Sequence, residues 1–224
     1  MSPQPGLLEP ITGATFHVQP LAPAETQVPA GAYQPLIERL AAMRRDAESV
    51  IAAFTSVTPG EGVTYVVESL AWELAKQTGE QTLVTTPDGL SSASMASFGD
   101  ASVRGYPSHP VRRLRSVGAA GRHWGDSAWQ DFQGLRRRFG FVLVDCPALR
   151  SSRLALRGED PAARVLSVCR SCDGVVLVVS AGKTQRKDIK YAQSTIQVAS
   201  ANLLGLVLNQ RVECVPGLIA RFLG

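Results

Sequence analysis

The chain has 224 residues and a net charge of +4, with 45% hydrophobic and 19% charged residues. This composition is typical of a globular protein and excludes an intrinsically disordered chain, and the length suits one α/β domain or two small ones. The sequence has no apolar run near the roughly 18 residues that a membrane span needs, and it lacks the start of a signal peptide. We therefore expect a cytoplasmic protein with at most peripheral membrane contact, in which the four cysteines are reduced thiols.

The N-terminal region is dominated by proline. Seven of the 14 prolines lie in residues 1–35, and the stretch shows neither helical nor strand periodicity. We predict that residues 1–34 form an extended or disordered tail, or a strap on the body, and that residues 35–224 form a single domain.

The rest of the chain alternates between short apolar strands and amphipathic helices. Strands are predicted at Val50–Thr55, Gln81–Thr86, Phe141–Val144, Gly174–Val179 and Leu203–Leu208. Helices are predicted from Pro35 to about Ser49 and at Thr64–Thr78, Asp126–Phe139, Asp160–Cys169 and Thr184–Ser200. Apolar strands separated by helices indicate a mostly parallel sheet with helices on both faces, which is a doubly wound α/β fold.

Residues 87–125 break this alternation and are rich in Ser, Gly, Ala, Pro and Arg. We expect a long connection, with or without a helix, at one edge of the sheet or over the site. The candidate surface for a partner or an anion consists of Arg112, Arg113, Arg115, Arg136, Arg137 and Arg138. It would face an acidic protein tail or anionic lipid, and the lack of interleaved aromatic residues speaks against nucleic acid. The alternative is a solvated basic face.

The most specific motif, SVTPGEGVTY, begins at Ser56, follows the first predicted strand and opens a helix. This is the context of a phosphate-binding loop, where glycines let the backbone approach a phosphate and the amides of the helix N-terminus point at it. A lysine normally precedes the Ser or Thr of such a loop, and here Val63 stands in its place. The candidate nucleotide-binding residues are Gly60, Glu61, Gly62, Val63, Thr64 and Tyr65. The alternative is a turn that binds nothing.

Four further segments that follow this loop contribute to a family resemblance. They are Thr86 to Leu90, Asp145-Cys146-Pro147-Ala148, Cys172 to Val179 and Leu204 to Asn209. Together with the loop, they resemble the cytoplasmic ATPase domain of bacterial tyrosine kinases and of capsular or exopolysaccharide biosynthesis proteins, within the ParA/MinD-like P-loop class. The resemblance covers about residues 36–223.

The resemblance implies a site for ATP or ADP with Mg²⁺. Thr64, Asp88 and Asp145 would lie around the metal, and Asn209 would contact the base. The departures are Val63 for the lysine, Thr86 for the first acid of the second strand and Leu90 for an arginine. The kinases also carry a C-terminal tyrosine cluster, whereas the last tyrosine here is Tyr191. The resemblance therefore implies a degenerate member that has kept the fold and lost phosphoryl transfer.

For such a protein, the resemblance implies a partner at the inner membrane. That partner is a polysaccharide co-polymerase or synthase subunit, or an active ATPase homologue, and self-association as a homo-oligomer is expected. Three other functions stay open: an active ATPase or tyrosine autokinase with a replaced lysine, a ParA/MinD-type positioning factor, and a structural subunit of a synthase or secretion complex.

Cys169 and Cys172 have metal-site spacing but no second pair, so we expect plain thiols.

Overall fold

The computed structural model of the chain describes residues 15–21, 31–87, 110–117, 134–150 and 161–210. Its strands are β1 (Thr15–Pro20), β2 (Val50–Ser56), β3 (Thr82–Thr85), β4 (Val111–Val117), β5 (Phe141–Asp145), β6 (Gly174–Ser180) and β7 (Leu203–Asn209). Its helices are α1 (Gln34–Arg45), α2 (Val63–Thr78), α3 (Pro161–Ser171) and α4 (Arg186–Val198).

The seven strands form one sheet in the order β1-β4-β3-β5-β2-β6-β7. The six strands from β4 to β7 run parallel, and β1 pairs antiparallel with β4, with Thr15 opposite Val117. After β2, the strands β3 and β4 lie on one side of it, and β5 inserts between β2 and β3. Strands β6 and β7 then extend the sheet on the other side of β2. The predicted doubly wound α/β fold is confirmed.

Each face of the sheet carries its own hydrophobic core. Along β2, Ile51 and Ala53 face the core that contains α3 and α4, whereas Ala52 and Phe54 face the core that contains α1 and α2. Successive side chains of a strand point to opposite faces, so a strand covered on both sides must be apolar throughout. This explains why the central strands are uninterrupted hydrophobic runs.

The structure adds two strands that the sequence did not predict. β1 lies inside the predicted tail of residues 1–34, and β4 lies inside the predicted insert of residues 87–125. Both strands are rich in polar or charged residues, so they lack the apolar runs from which the other strands were predicted. Of the helix predicted at Asp126–Phe139, residues 126–133 lie outside the described part of the chain, and residues 134–136 are helical. No helix in the described ranges is long and apolar enough to cross a membrane.

Candidate nucleotide-binding site

The loop between β2 and α2, which the sequence predicts to bind phosphate, turns at two glycines. Gly60 and Gly62 have φ angles of 87° and 88°, in the left-handed region that favours glycine. Helix α2 begins directly after Gly62, whose carbonyl accepts the Val66 N–H at 3.0 Å. The loop thus delivers the N-terminus of a 16-residue helix to the carboxyl edge of the sheet, where parallel α/β folds bind their ligands.

The Glu61 side chain braces this loop from inside. It is only 4% exposed, and its Oε2 accepts the N–H groups of Val57 at 2.8 Å and Thr58 at 3.0 Å. Its Oε1 accepts the hydroxyl of Thr184, which itself accepts the Ser180 N–H at 3.0 Å. We predicted Glu61 as a nucleotide-binding residue, but its carboxylate binds the protein's own backbone and ties the loop to the connection between β6 and α4.

Asn209, at the end of β7, holds the loop from another side. Its Nδ2 donates to the Glu61 carbonyl at 2.9 Å. The same nitrogen would lie 2.1 Å from a Cβ added at Gly62, so no side chain fits at that position without displacing Asn209. Asn209 therefore closes the loop around Gly62, and its contact with a nucleotide base stays a prediction.

Thr64 and Asp145, which the resemblance assigns to a metal, lie next to each other, and their metal role stays a prediction. Thr64 Oγ1 donates to Asp145 Oδ2 at 2.7 Å, joining the first turn of α2 to the end of β5. Burial raises the pKa of Asp145, while the Thr64 hydrogen bond and the charge of Arg113 lower it. A hydroxyl and a carboxylate are oxygen ligands of the kind that Mg²⁺ takes, so this pair fits the ion. The third predicted ligand, Asp88, lies outside the described residues.

Val63 occupies the lysine position and belongs to the hydrophobic core. Its side chain is 9% exposed and packs in the cluster formed with α1 and α2. Tyr65, the last residue of the predicted loop, is half-buried and packs against the same cluster. Position 63 therefore presents an apolar side chain to the core and no cation to the loop.

Several arginines of the predicted basic surface are buried or make contacts within the protein. Arg112 is 3% exposed in β4, and burial lowers its pKa. Arg113 forms an ion pair with Glu68 of α2. Strand β4 alternates its side chains between the two sides of the sheet, so these two adjacent arginines cannot form one outward-facing patch. Arg112 is therefore not accessible to a partner, and a partner contact of Arg113 stays a prediction.

Arg136 is likewise an internal contact rather than a docking residue. Its Nη2 bonds Asp173 Oδ1 at 2.7 Å and its Nη1 donates to the Ser49 carbonyl at 2.8 Å. Asp173 Oδ2 also accepts the Ile51 N–H at 2.7 Å, so the arginine completes a network at the start of the central strands. Arg137 is exposed and Arg138 half-buried, and the side chain of Arg115 lies outside the described residues.

The three cysteines among the described residues form a buried cluster next to the site. Cys146, Cys169 and Cys172 are free thiols in the core beneath α3. A hydrogen bond with Cys169, together with burial, raises the pKa of Cys146 well above its ordinary value, and burial does the same for Cys172. High thiol pKa values oppose metal binding, and the described residues contain no cluster of three or more His, Cys, Asp or Glu side chains that could hold a metal ion.

Sequence reasoning missed the two braces of the loop. The Glu61 carboxylate and the Thr184 hydroxyl meet although they lie 123 residues apart, and only the fold brings them together. The pairing of Asn209 with Gly62 has the same origin. A glycine flanked by an acidic residue could have pointed to a tightly held turn, but nothing in the sequence around Thr184 marks its role.

Solved structures of other proteins share this fold. No protein-family model matches the chain. The fold is shared with the kinase domain of VpsO, at a TM-score of 0.58 and 20% identity over 81% of this chain and 93% of that one. It is also shared with the chimerical protein CapA2B2, at a TM-score of 0.60 and 18% identity over 85% and 88% of the two chains. The fold is therefore that of bacterial tyrosine kinase domains.

The amino-acid sequence is also similar to that of a bacterial tyrosine kinase. The chain is 25% identical over 190 residues to tyrosine-protein kinase CpsD of Streptococcus agalactiae serotype Ia, covering 75% of this chain and 77% of that protein. It is a homologue of CpsD, and the predicted relation to bacterial tyrosine kinases is confirmed.

Proposed function

We propose that this protein is a catalytically inactive relative of the bacterial tyrosine kinases that acts through protein contacts in exopolysaccharide biosynthesis and export. The observation that supports this most directly is Val63. The position that should carry the phosphate-binding lysine holds an apolar side chain packed in the core. The chain has kept the fold and the loop while losing the group that phosphoryl transfer depends on most.

The size of this loss can be judged from the missing contact. A hydrogen bond to a charged group contributes about 1.5–3 kcal/mol, which corresponds to roughly one to two powers of ten in affinity. The lysine also neutralises charge that develops on the transferred phosphoryl group, so its loss lowers the rate as well as the affinity. We therefore expect weak nucleotide binding at most, without turnover.

The remaining groups have defined roles if nucleotide is bound. Mg²⁺ would neutralise the phosphate oxygens. The glycines at positions 60 and 62 would let the backbone approach the phosphates, and the α2 N-terminus would face their negative charge. The Thr64 hydroxyl and the Asp145 carboxylate would hold the metal side. In this arrangement the nucleotide is a bound ligand rather than a substrate.

The partner that suits this function is the cytoplasmic part of a membrane polysaccharide co-polymerase or synthase subunit, or an active homologue of the chain itself. Homology to a tyrosine-protein kinase supports the second choice, because relatives that share a fold can share contact surfaces. Self-association belongs to the same proposal. A ParA/MinD-type positioning role would use Arg112, Arg113 and Arg115 as a basic surface. The burial of Arg112 and the ion pair of Arg113 with Glu68 speak against that role, and the side chain of Arg115 lies outside the described residues.

A turnover assay tests this proposal. The purified chain and its Asp145→Ala variant are incubated with Mg-ATP, and release of phosphate and formation of phosphotyrosine are measured, with CpsD as the positive control. We expect both proteins to stay at background. Turnover by the natural chain that disappears in the Asp145→Ala variant would overturn the proposal in favour of an active enzyme with a replaced lysine.

A further inference from the structure

The exposed side of α4 carries a compact basic surface that sequence analysis did not single out. We define the α4 patch as Arg150, Arg186, Lys187, Lys190 and Tyr191, all of which are exposed. The opposite side of the helix is anchored, since Ile189, Ala192 and Ile196 pack on the sheet. Residues four apart lie on adjacent turns of one helix face, so Lys187 and Tyr191 are neighbours on the outer side.

Arg150 connects the patch to the candidate nucleotide site. Its Nη1 donates to Asp188 Oδ1 at 2.8 Å, and its guanidinium lies 4.7 Å from the centroid of the Tyr191 ring. Its backbone N–H donates to the carbonyl of Val57, the first residue of the phosphate-binding loop, at 3.0 Å. The arginine is thereby fixed beside an aromatic ring that is itself 46% exposed.

The charge of the patch is unbalanced. Asp188 is the one acid within α4, and Arg150 already binds it. Among the residues that the structure describes, Arg186, Lys187 and Lys190 have no ion-pair partner. Their charges add to the positive end of the helix dipole, because all three lie in the first five residues of α4. The patch is therefore built to attract an anion.

The compactness of the patch selects the kind of anion. A helix rises about 1.5 Å per residue, so Arg186 and Lys190 are separated by only about 6 Å along the axis. Three cations this close suit one group of high charge better than carboxylates spread along a peptide. A phosphate monoester on tyrosine carries about −1.5 to −2 charges and three acceptor oxygens. Its aromatic ring would find the exposed ring of Tyr191 alongside.

We propose that the α4 patch binds a phosphotyrosine-containing segment of a protein partner. This inference rests on the proposed function, in which the chain acts beside an active tyrosine kinase, and it names the chemistry that would join the two. The phosphate lies among Arg186, Lys187 and Lys190, and the tyrosine ring packs against Tyr191 and the Arg150 guanidinium.

An anionic membrane is the less favoured occupant. The apolar side of α4 is buried against the sheet and cannot insert into a bilayer. Adsorption would depend on charge alone, at about 1 kcal/mol for each cation near the surface. A protein partner also makes use of exposed Tyr and Arg side chains, which are enriched at the centres of protein interfaces.

The test measures fluorescence anisotropy of three labelled peptides with the full chain. The peptides have one sequence and carry phosphotyrosine, tyrosine or glutamate at the central position. We expect the phosphotyrosine peptide to bind at least about tenfold more tightly than the other two. The Lys187→Glu/Lys190→Glu variant should lose this preference, whereas the Arg39→Glu/Lys76→Glu variant, which reverses two exposed charges on α1 and α2, should keep it.

Several outcomes would overturn the inference. Equal binding of the three peptides would show charge attraction without phosphotyrosine recognition. An equal loss in the two double variants would show that only net charge matters. Binding to vesicles containing anionic lipid, with no binding of the phosphotyrosine peptide, would assign the patch to a membrane. None of these results depends on ATP turnover, so they are distinguishable from failure of the proposed function.

Discussion

Replacing Gly62 by alanine tests the architecture of the phosphate-binding loop. Gly62 has a φ of 88°, where a Cβ costs about 1–2 kcal/mol. The new Cβ would also lie 2.1 Å from Asn209 Nδ2, so that the amide must move and lose its bond to the Glu61 carbonyl. This hydrogen bond contributes about 1 kcal/mol. We expect Gly62→Ala to lower the free energy of unfolding by about 2–3 kcal/mol.

Gly60→Ala is the matched control. Gly60 has nearly the same φ, 87°, but nothing lies within 4 Å of its added Cβ, so only the backbone cost of about 1–2 kcal/mol applies. In thermal unfolding, each kcal/mol corresponds to about 2–4 °C in a protein of this size. In an Asn209→Ala background, Gly62→Ala should cost no more than Gly60→Ala. Equal losses for the two glycine variants in the natural background would refute the reasoning.

Two further predictions concern buried charges. Because burial raises the pKa of Asp145, its ionisation costs the folded state more than the unfolded chain, and this part of the stability is lost as the pH rises through the raised pKa. Asp145→Asn should therefore gain stability relative to the natural chain as the pH rises above the ordinary pKa of an aspartate, measured by denaturant titrations at several pH values, and a pH-independent difference would contradict this assignment. Arg136→Ala should destabilise by about 2 kcal/mol, because it leaves Asp173 without its ion-pair partner. Arg137→Ala, its exposed neighbour, should stay within about 0.5 kcal/mol, and similar losses for both would contradict the internal role of Arg136.

The central strands were predictable because two-sided burial leaves a clear pattern. β2 and β6 are continuous apolar runs, and the sequence predicted both within one residue of their observed ends. β4 shows where this signal stops. Its sequence, VRRLRSV, contains three arginines, which resembles a solvated connection. Arg113 is accommodated there by Glu68 of α2, a contact that depends on the tertiary fold.

The candidate site divides in a similar way. The loop was predictable because a glycine-rich turn between a strand and a helix has a recognisable sequence context, and Thr64 and Asp145 were named because the resemblance implies them. The functions of Glu61 and Asn209 were not predictable, since both depend on partners distant in the sequence: Thr184 for one and the Glu61 carbonyl for the other. The α4 patch was not predicted, because residues that face the core separate its cations in the sequence. The cations share one surface only once the helix has formed.

In the proposed function, Val63 leaves the loop without the cation that normally precedes its Ser or Thr. The most direct measurement is calorimetric titration of the natural chain, Val63→Lys and Val63→Met with Mg-ATP. Methionine is unbranched, only one atom shorter than lysine, and carries no charge. We expect Val63→Lys to bind Mg-ATP about ten- to a hundredfold more tightly than either other protein. Equal affinities for all three folded proteins would contradict the account and show that the site has diverged well beyond position 63.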